Sequence, residues 1–332
     1  MTQYLEVPKD LVGTPLDEFL CLKWPRISKG KLRELVRGGD ITVGGTPALP
    51  SYRLRFSDVV LVDADIGALK EVARAPFKPE IIYEDKNLIA INKPAGFPVE
   101  PSRWGEHPVN LTGAMLDWAE SRRRQDGLIA ARPRALHRLD LGTSGVLLYA
   151  LSLEGEQHYR ALFDERKVEK VYHAIVLGEI HREGVIDSPL APDPRQGGRM
   201  RVVKSPGGKD SITEYAPLKI FRGFTLVECR PRTGRTHQIR VHMASIGHPL
   251  IVDPRYGGRD KMHLSELKPG YKPKKGKPER PLLQRLSLHA KSVQIISPDG
   301  ETLRIEAEYP KDLRVLLSKM EKWRRATQTP SG

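Results

Sequence analysis

The chain has 332 residues, enough for about two domains, and its 55 Lys and Arg outweigh 41 Asp and Glu to give +14 and a pI near 9.7. That balance favours polyanionic partners through phosphate contacts and counterion release. Only Cys21 and Cys229 are present, which rules out a disulfide framework or a CxxC zinc site, and no run approaches the ~18 apolar residues of a membrane-spanning helix. With no apolar leader in MTQYLEVPKD, the expectation is a cytoplasmic, monomeric protein with no membrane partner.

The first predicted element lies in TPLDEFLCLKW, where Leu16, Phe19 and Leu20 recur at helical spacing. SKGKLRELVRGGD predicts a second helix, with Ser28 as N-cap, Leu32, Leu35 and Val36 on one face and a stop at Gly38–Gly39. Ile41 to Val43 reads as a strand entering a tight turn at Gly44–Gly45, and Asp58 to Val62 as a closing strand. Ala64 to Pro79 has no clear face and reads as a linker. Further strands are expected at Leu88–Asn92, Gly145–Leu151, Val168–Leu177, Phe224–Glu228, Leu286–Ile296 and Thr302–Glu308, and helices at Glu154–Arg166, Thr236–Ile246 and Lys311–Arg325. Runs of strands with a few helices point to an α+β class with a mixed, largely antiparallel sheet. Leu267 to Pro281 is proline-rich and without periodicity, and is expected as a mobile basic loop. The predicted organisation is a small domain at 1–66, a linker at 67–79, a larger domain at 80–325 and a tail at 326–332.

Charge is clustered. Six basic residues and one acid lie between Lys23 and Arg37, six arginines and one acid between Arg122 and Arg138, and seven basic residues and one acid between Lys268 and Arg285. Three basic patches around one domain are the footprint of a nucleic-acid partner. Within the second patch, ALHRLDLGTSGVLLYA sets His137, Arg138 and Asp140 beside a glycine-rich turn and an apolar run. A carboxylate, an imidazole and a guanidinium are thus presented on a loop anchored by a strand. From the residues alone, a surface loop whose charges satisfy backbone groups fits equally well.

HRLDLGTSG resembles the signature of the RluA-type pseudouridine synthases, which isomerise uridine within structured RNA. Four more segments are similar to that family, in its order: LIAINKPAGFPVEP from Leu88, EKVYHAIVLG from Glu169, TGRTHQIRVHMASIGHPLIVDPRYGG from Thr233, and LSLHA from Leu286. The resemblance implies a pseudouridine synthase fold with a central catalytic cleft, and an N-terminal alpha-L RNA-binding domain whose Lys29, Lys31, Arg33 and Arg37 contact RNA. It implies Asp140 as the catalytic carboxylate, Arg240 as its basic partner, and Tyr172 packed against the target uracil. Arg138 would occupy the space of the flipped base, Leu288 would line the pocket, and His137 and Lys93 would lie at the substrate, Lys93 either on a phosphate or behind the loop. The stretch Arg195 to Ser211 and the segment Leu267 to Pro281 carry more glycine and lysine, or more length, than is usual there.

Pseudouridine formation breaks the bond from ribose C1′ to uracil N1 and rejoins C1′ to C5, so no cofactor, redox carrier or metal is expected. His237, His242 and His248, five and six apart, do not match helical metal-ligand pairing. The expected activity is an RNA isomerase acting on large-subunit ribosomal RNA, with transfer RNA as the alternative target and a non-catalytic RNA-binding assembly factor as the rival class. A nucleoside-cleaving glycosidase needs a second carboxylate for acid–base work, and none is assigned that role within these motifs.

Overall fold

A computed structural model describes residues 2–75, 77–100, 109–204, 207–257, 259–272 and 276–325. The expected tail at 326–332 and part of the proline-rich segment lie outside the described residues. The chain divides into two compact units, one of Met1–Pro79, Pro98–Ala135 and Ala150–Leu153, the other of Glu80–Phe97, Leu136–Tyr149 and Glu154–Gly332.

In the first unit the local signals of the sequence become structure directly. Ser28 accepts a hydrogen bond from the Lys31 amide at 3.2 Å and caps the helix Lys29–Gly38, while Gly39 ends it at φ 86°. Gly44 and Gly45, at φ 57° and 77°, form the two-residue turn joining Ile41–Val43 to Thr46–Pro47. These strands join Val59–Val62 and Gln3–Glu6 in a four-stranded sheet. Gln3–Glu6 is an edge strand that the sequence reading leaves unassigned. The two helices bury Leu16, Phe19, Leu20, Leu32 and Val36 against Ile41, Val60 and Val62, and Ile66 and Leu128 join this core. Fully burying one such side chain is worth about 1.5–3 kcal/mol.

The charge pattern of this unit differs from the expected free basic face. Asp17 and Glu18, on the helix Leu16–Lys23, are 3% and 4% exposed and require countercharges. Lys29 pairs with both, Arg33 donates to Asp17 at 2.7 Å, and Arg134 pairs with Glu18. Lys31 pairs with Glu34 at 2.9 Å. Of the four basic residues assigned to RNA, only Arg37 is exposed without an ion-pair partner among the described residues.

The second unit is built on a large mixed sheet. Its strands run Gly184–Asp187, Ile212–Phe221, Phe224–Pro231, Glu169–Leu177, Leu288–Ile296, Ser144–Ala150, Leu88–Lys93 and Ile81–Glu84, and Thr302–Glu306 pairs with Leu288–Ile296. Leu288–Ile296 lies parallel to Ser144–Ala150 and antiparallel to Glu169–Leu177. The parallel pair approaches so closely that a Cβ on Gly145 (φ 112°) would stand 2.1 Å from the Ala290 carbonyl oxygen. Only glycine fits there.

Two cores cover opposite faces of this sheet, as the alternation in Glu169–Leu177 requires. Ala174 and Val176, with Tyr172 beside them, pack with Ile239, Met243, Leu286 and Leu288. Ile175 points the other way, into a core of Phe221, Phe224, Ile251 and Val252 closed by Leu313, Leu316 and Met320 of the helix Lys311–Trp323. Among the described residues no element of helix or strand falls between 267 and 281, although Leu267 itself is fully buried.

Candidate active site

Asp140 sits on the turn that leads into Ser144–Ala150, a strand buried at every residue. The Thr143 amide donates to the Asp140 carbonyl at 3.0 Å and closes the turn. Leu136 and Leu139 are buried beneath it, while Arg138 and Leu141 are exposed. Arg138 has no ion-pair partner among the described residues and stands two positions from the carboxylate.

Lys93 supports this turn from inside the protein. Its ammonium is fully buried and donates to the carbonyls of Pro94 at 3.0 Å, Leu141 at 3.3 Å and Thr143 at 2.8 Å. Burial pulls its pKa down to about 7, with the Asp140 carboxylate opposing. With three donors spent on three carbonyls, Lys93 packs behind the loop rather than holding a phosphate. Lys93→Met should take this donor from the Pro94 and Thr143 carbonyls, while the Leu141 carbonyl keeps the Gly96 amide at 2.8 Å, and loosen the turn, lowering kcat about tenfold or more with a much smaller change in KM. Steady-state kinetics on RNA check this, and equal changes in both constants would count against a positioning role.

His137 is likewise structural. Its Nε2 accepts from the Leu148 amide at 3.2 Å and its ring stacks on Phe163 at 5.2 Å. Burial, aided by Lys170, pushes its pKa down to about 3, so it stays neutral.

The cation facing Asp140 comes from the helix Gln238–Ser245, which buried polar side chains hold in place. Gln238 donates to the Ile212 carbonyl and the Thr213 hydroxyl, each at 2.9 Å, and accepts from the Arg235 amide and the Thr233 hydroxyl. His242 bridges the Thr213 hydroxyl at 2.9 Å and the Ser188 carbonyl at 3.0 Å. The helix is shorter than the expected Thr236–Ile246. His237 precedes it in a left-handed conformation at φ 56°, so it does not share a helical face with Arg240.

Arg240 is 5% exposed and contacts two carboxylates. Its Nη1 donates to Asp140 Oδ2 at 3.0 Å, and its Nε and Nη2 form a fork on Asp253 at 2.7 and 2.8 Å. Burial opposes its charge, but Asp253 and Asp140 more than compensate and raise its pKa. Asp253 is fully buried and also accepts from the Arg255 amide at 3.1 Å. The sequence reading passes over Asp253, although it stands inside a quoted motif. Its only local signal is one carboxylate ending the apolar run Leu250–Val252.

His237 and Tyr256 complete the wall. The Met200 amide donates to the Tyr256 hydroxyl at 2.8 Å, and the same hydroxyl shares a hydrogen bond with His237 Nδ1 at 3.0 Å. His237 Nε2 lies 3.9 Å from Asp140 Oδ1. Burial lowers the His237 pKa, with Asp140 opposing. The guanidinium groups of Arg240 and Arg199 lie 5.1 and 5.2 Å from the Tyr256 ring.

Tyr172 lies opposite Cys229 on one neighbouring strand and Ala290 on the other. Burial first, and the Asp140 charge second, push its phenol well above the ordinary value. It therefore remains protonated at neutral pH, offering an aromatic face and an O–H donor. Leu288, 4% exposed, packs in the same core. Among the described residues no three His, Cys, Asp or Glu side chains are grouped to hold a metal ion.

The second unit thus gathers Asp140, Tyr172, Arg240 and Leu288, adds Asp253, and turns Lys93 and His137 to structural work. Comparison with known proteins gives the family. Residues 87–245 match the RNA pseudouridylate synthase family and residues 14–60 match the S4 domain. The chain is 34% identical over 322 residues to ribosomal large subunit pseudouridine synthase D of Xanthomonas campestris pv. campestris, covering 94% of this chain and 90% of that one. It is 33% identical to the protein of the same name from Pseudomonas aeruginosa, covering 97% and 96%. Human RNA pseudouridylate synthase domain containing 4 superposes with a TM-score of 0.55 at 26% identity, covering 73% of this chain and 93% of that one. The chain belongs to the RNA pseudouridylate synthase family, an isomerase with an N-terminal S4 domain.

Proposed function

We propose that this enzyme isomerises uridines of large-subunit ribosomal RNA, with Asp140 as its catalytic carboxylate. The observation that carries the reading is the ion-pair chain Asp140–Arg240–Asp253, in which the outer carboxylate is 23% exposed and the inner one fully buried. Arg240 is fixed by its fork on Asp253 before it meets Asp140. It aims the carboxylate and sets a fixed positive charge against it. The rRNA target rests on relatives named for the large ribosomal subunit, with an identity above 30% along nearly the whole chain.

The target base leaves its stack at a cost of a few kcal/mol, offset by contacts to the RNA backbone. Arg138, exposed beside Asp140, fills the space it leaves. Tyr172 packs against the uracil and Leu288 closes the pocket from the sheet side. Asp140 acts at ribose C1′ or on the uracil ring, or as the base in a glycal route. In each case the C1′–N1 bond breaks, C1′–C5 forms, and the C5 proton leaves as N1 regains one. The reaction needs no oxidant or co-reactant. The enzyme works as a monomer in the cytoplasm.

Pseudouridine mapping of total RNA from cells with and without this protein tests the target. Loss of one or more sites in large-subunit rRNA alone is the expected result. Loss confined to transfer RNA would move the assignment there, and binding with no lost site would favour an assembly factor.

A further inference from the structure

The helix Lys311–Trp323 carries a feature that the reaction does not use. Leu313, Leu316 and Met320 face the core, and on the opposite face Lys311, Arg314, Val315, Ser318, Lys319 and Lys322 fall within about half a turn of one another. Lys311, Arg314, Lys319 and Lys322 have no ion-pair partner among the described residues. The two acids of the helix are engaged elsewhere. Asp312 takes a two-point contact from Arg285 at 2.7 and 2.8 Å, and Glu321 pairs with Lys219 at 2.6 Å. A shallow recess of about 280 Å3 runs along Lys311, Arg314, Val315, Ser318 and Lys319.

At the C-terminal end of this face, three ammonium groups surround one indole. Lys319, Lys322 and Lys268 lie 5.2, 5.5 and 5.7 Å from the Trp323 ring centre. Arg324 secures the arrangement by donating to the carbonyls of Leu267 at 3.1 Å and Glu266 at 2.6 Å, which ties the Lys268 segment to the helix end. The Glu266 carboxylate is occupied by Arg259 at 3.1 Å and is not spent on these lysines. Gathering like charges with no carboxylate among them costs free energy that cation–π contact only partly offsets. A polyanion relieves it.

From this geometry we propose that the outer face of Lys311–Trp323, extended by Lys268, is a docking surface for the sugar–phosphate backbone of the RNA substrate, outside the segment whose base reacts. The stripe from Lys311 to Lys322 spans about 16 Å at 1.5 Å per residue, about the axial length of four or five phosphates on one strand of a duplex. It lies on the other side of the sheet from the core of Tyr172 and Leu288, so a minimal stem-loop in the catalytic cleft does not reach it. The surface therefore engages a flanking helix of a large RNA. This requires a long RNA substrate and is independent of the role of Asp140.

The test compares full-length wild type with the quadruple variant Lys311→Gln, Arg314→Gln, Lys319→Gln and Lys322→Gln. Binding is measured by anisotropy across about 50–200 mM salt, on a domain-sized fragment of large-subunit rRNA and on a minimal stem-loop from it. For the large fragment, the variant should lose about tenfold in affinity and its salt slope should flatten by about 3, while the stem-loop affinities coincide. An unchanged slope on the large fragment, or an equal loss on both RNAs, overturns the proposal. So does retained RNA binding with lost binding to phosphatidylglycerol vesicles or to an acidic protein. Should the quadruple variant melt early, Lys311→Glu and Lys322→Glu singly, at opposite ends of the stripe, carry the same comparison. Tritium release by wild type from the same RNA is read in parallel. Its absence would count against the rRNA reading and leave the affinity comparison standing.

Discussion

Asp140→Asn should abolish release of tritium from C5 of uridine in ribosomal RNA, to background, while RNA affinity stays within about a factor of three of wild type. The substitution keeps the shape of the side chain and removes its charge, and with it the capacity to act as nucleophile or base. The fold should tolerate it. Arg240 keeps both bonds to Asp253, and the cost is one charge-assisted hydrogen bond, about 1.5–3 kcal/mol. A variant that still releases tritium would remove Asp140 from the chemistry and leave the cleft without an assigned catalytic group.

Arg240→Leu is expected to act on turnover and stability together, by separable routes. Turnover should fall about 10²–10³-fold because the charge facing Asp140 is gone. Stability should fall by about 3–5 kcal/mol because Asp253, fully buried, loses its countercharge. Adding Asp253→Leu should recover most of that stability, since an apolar pair replaces a buried ion pair at little net cost, and recover no turnover. Urea midpoints and single-turnover rates of the two variants separate the effects. Turnover near wild type in Arg240→Leu would reduce the residue to a structural ion-pair partner.

What the sequence discloses here depends on the range of the interaction. Ser28, Gly39 and the Gly44–Gly45 turn are legible because each acts on backbone groups within a few residues of itself. The grouping of Asp140, Tyr172 and Arg240 is legible only through family resemblance, since no local pattern unites positions so far apart. Asp253 escapes because its partner lies 13 residues back, on a helix packed against it through tertiary contacts. Counting charges in Lys23–Arg37 overstates the free basic surface of the first unit. The count cannot show that Asp17 and Glu18, one helix earlier, are buried and draw Lys29 and Arg33 inward. His237 looks helical by spacing, but the register of the helix is set by Gln238 and its four hydrogen bonds, which leave the preceding residue left-handed.

The pair Asp140–Arg240 joins residues 100 positions apart, and this has a consequence for synthesis. At roughly 5–20 residues per second, a ribosome delivers Arg240 about 5–20 s after Asp140. Throughout that interval Asp140 lacks its Arg240 partner, and Leu288–Ile296, the parallel neighbour of its supporting strand, does not yet exist. A nascent fragment that ends before Arg240 therefore lacks the ion pair on which the proposed chemistry depends. The site closes only through long-range pairing, the slow kind of contact to form.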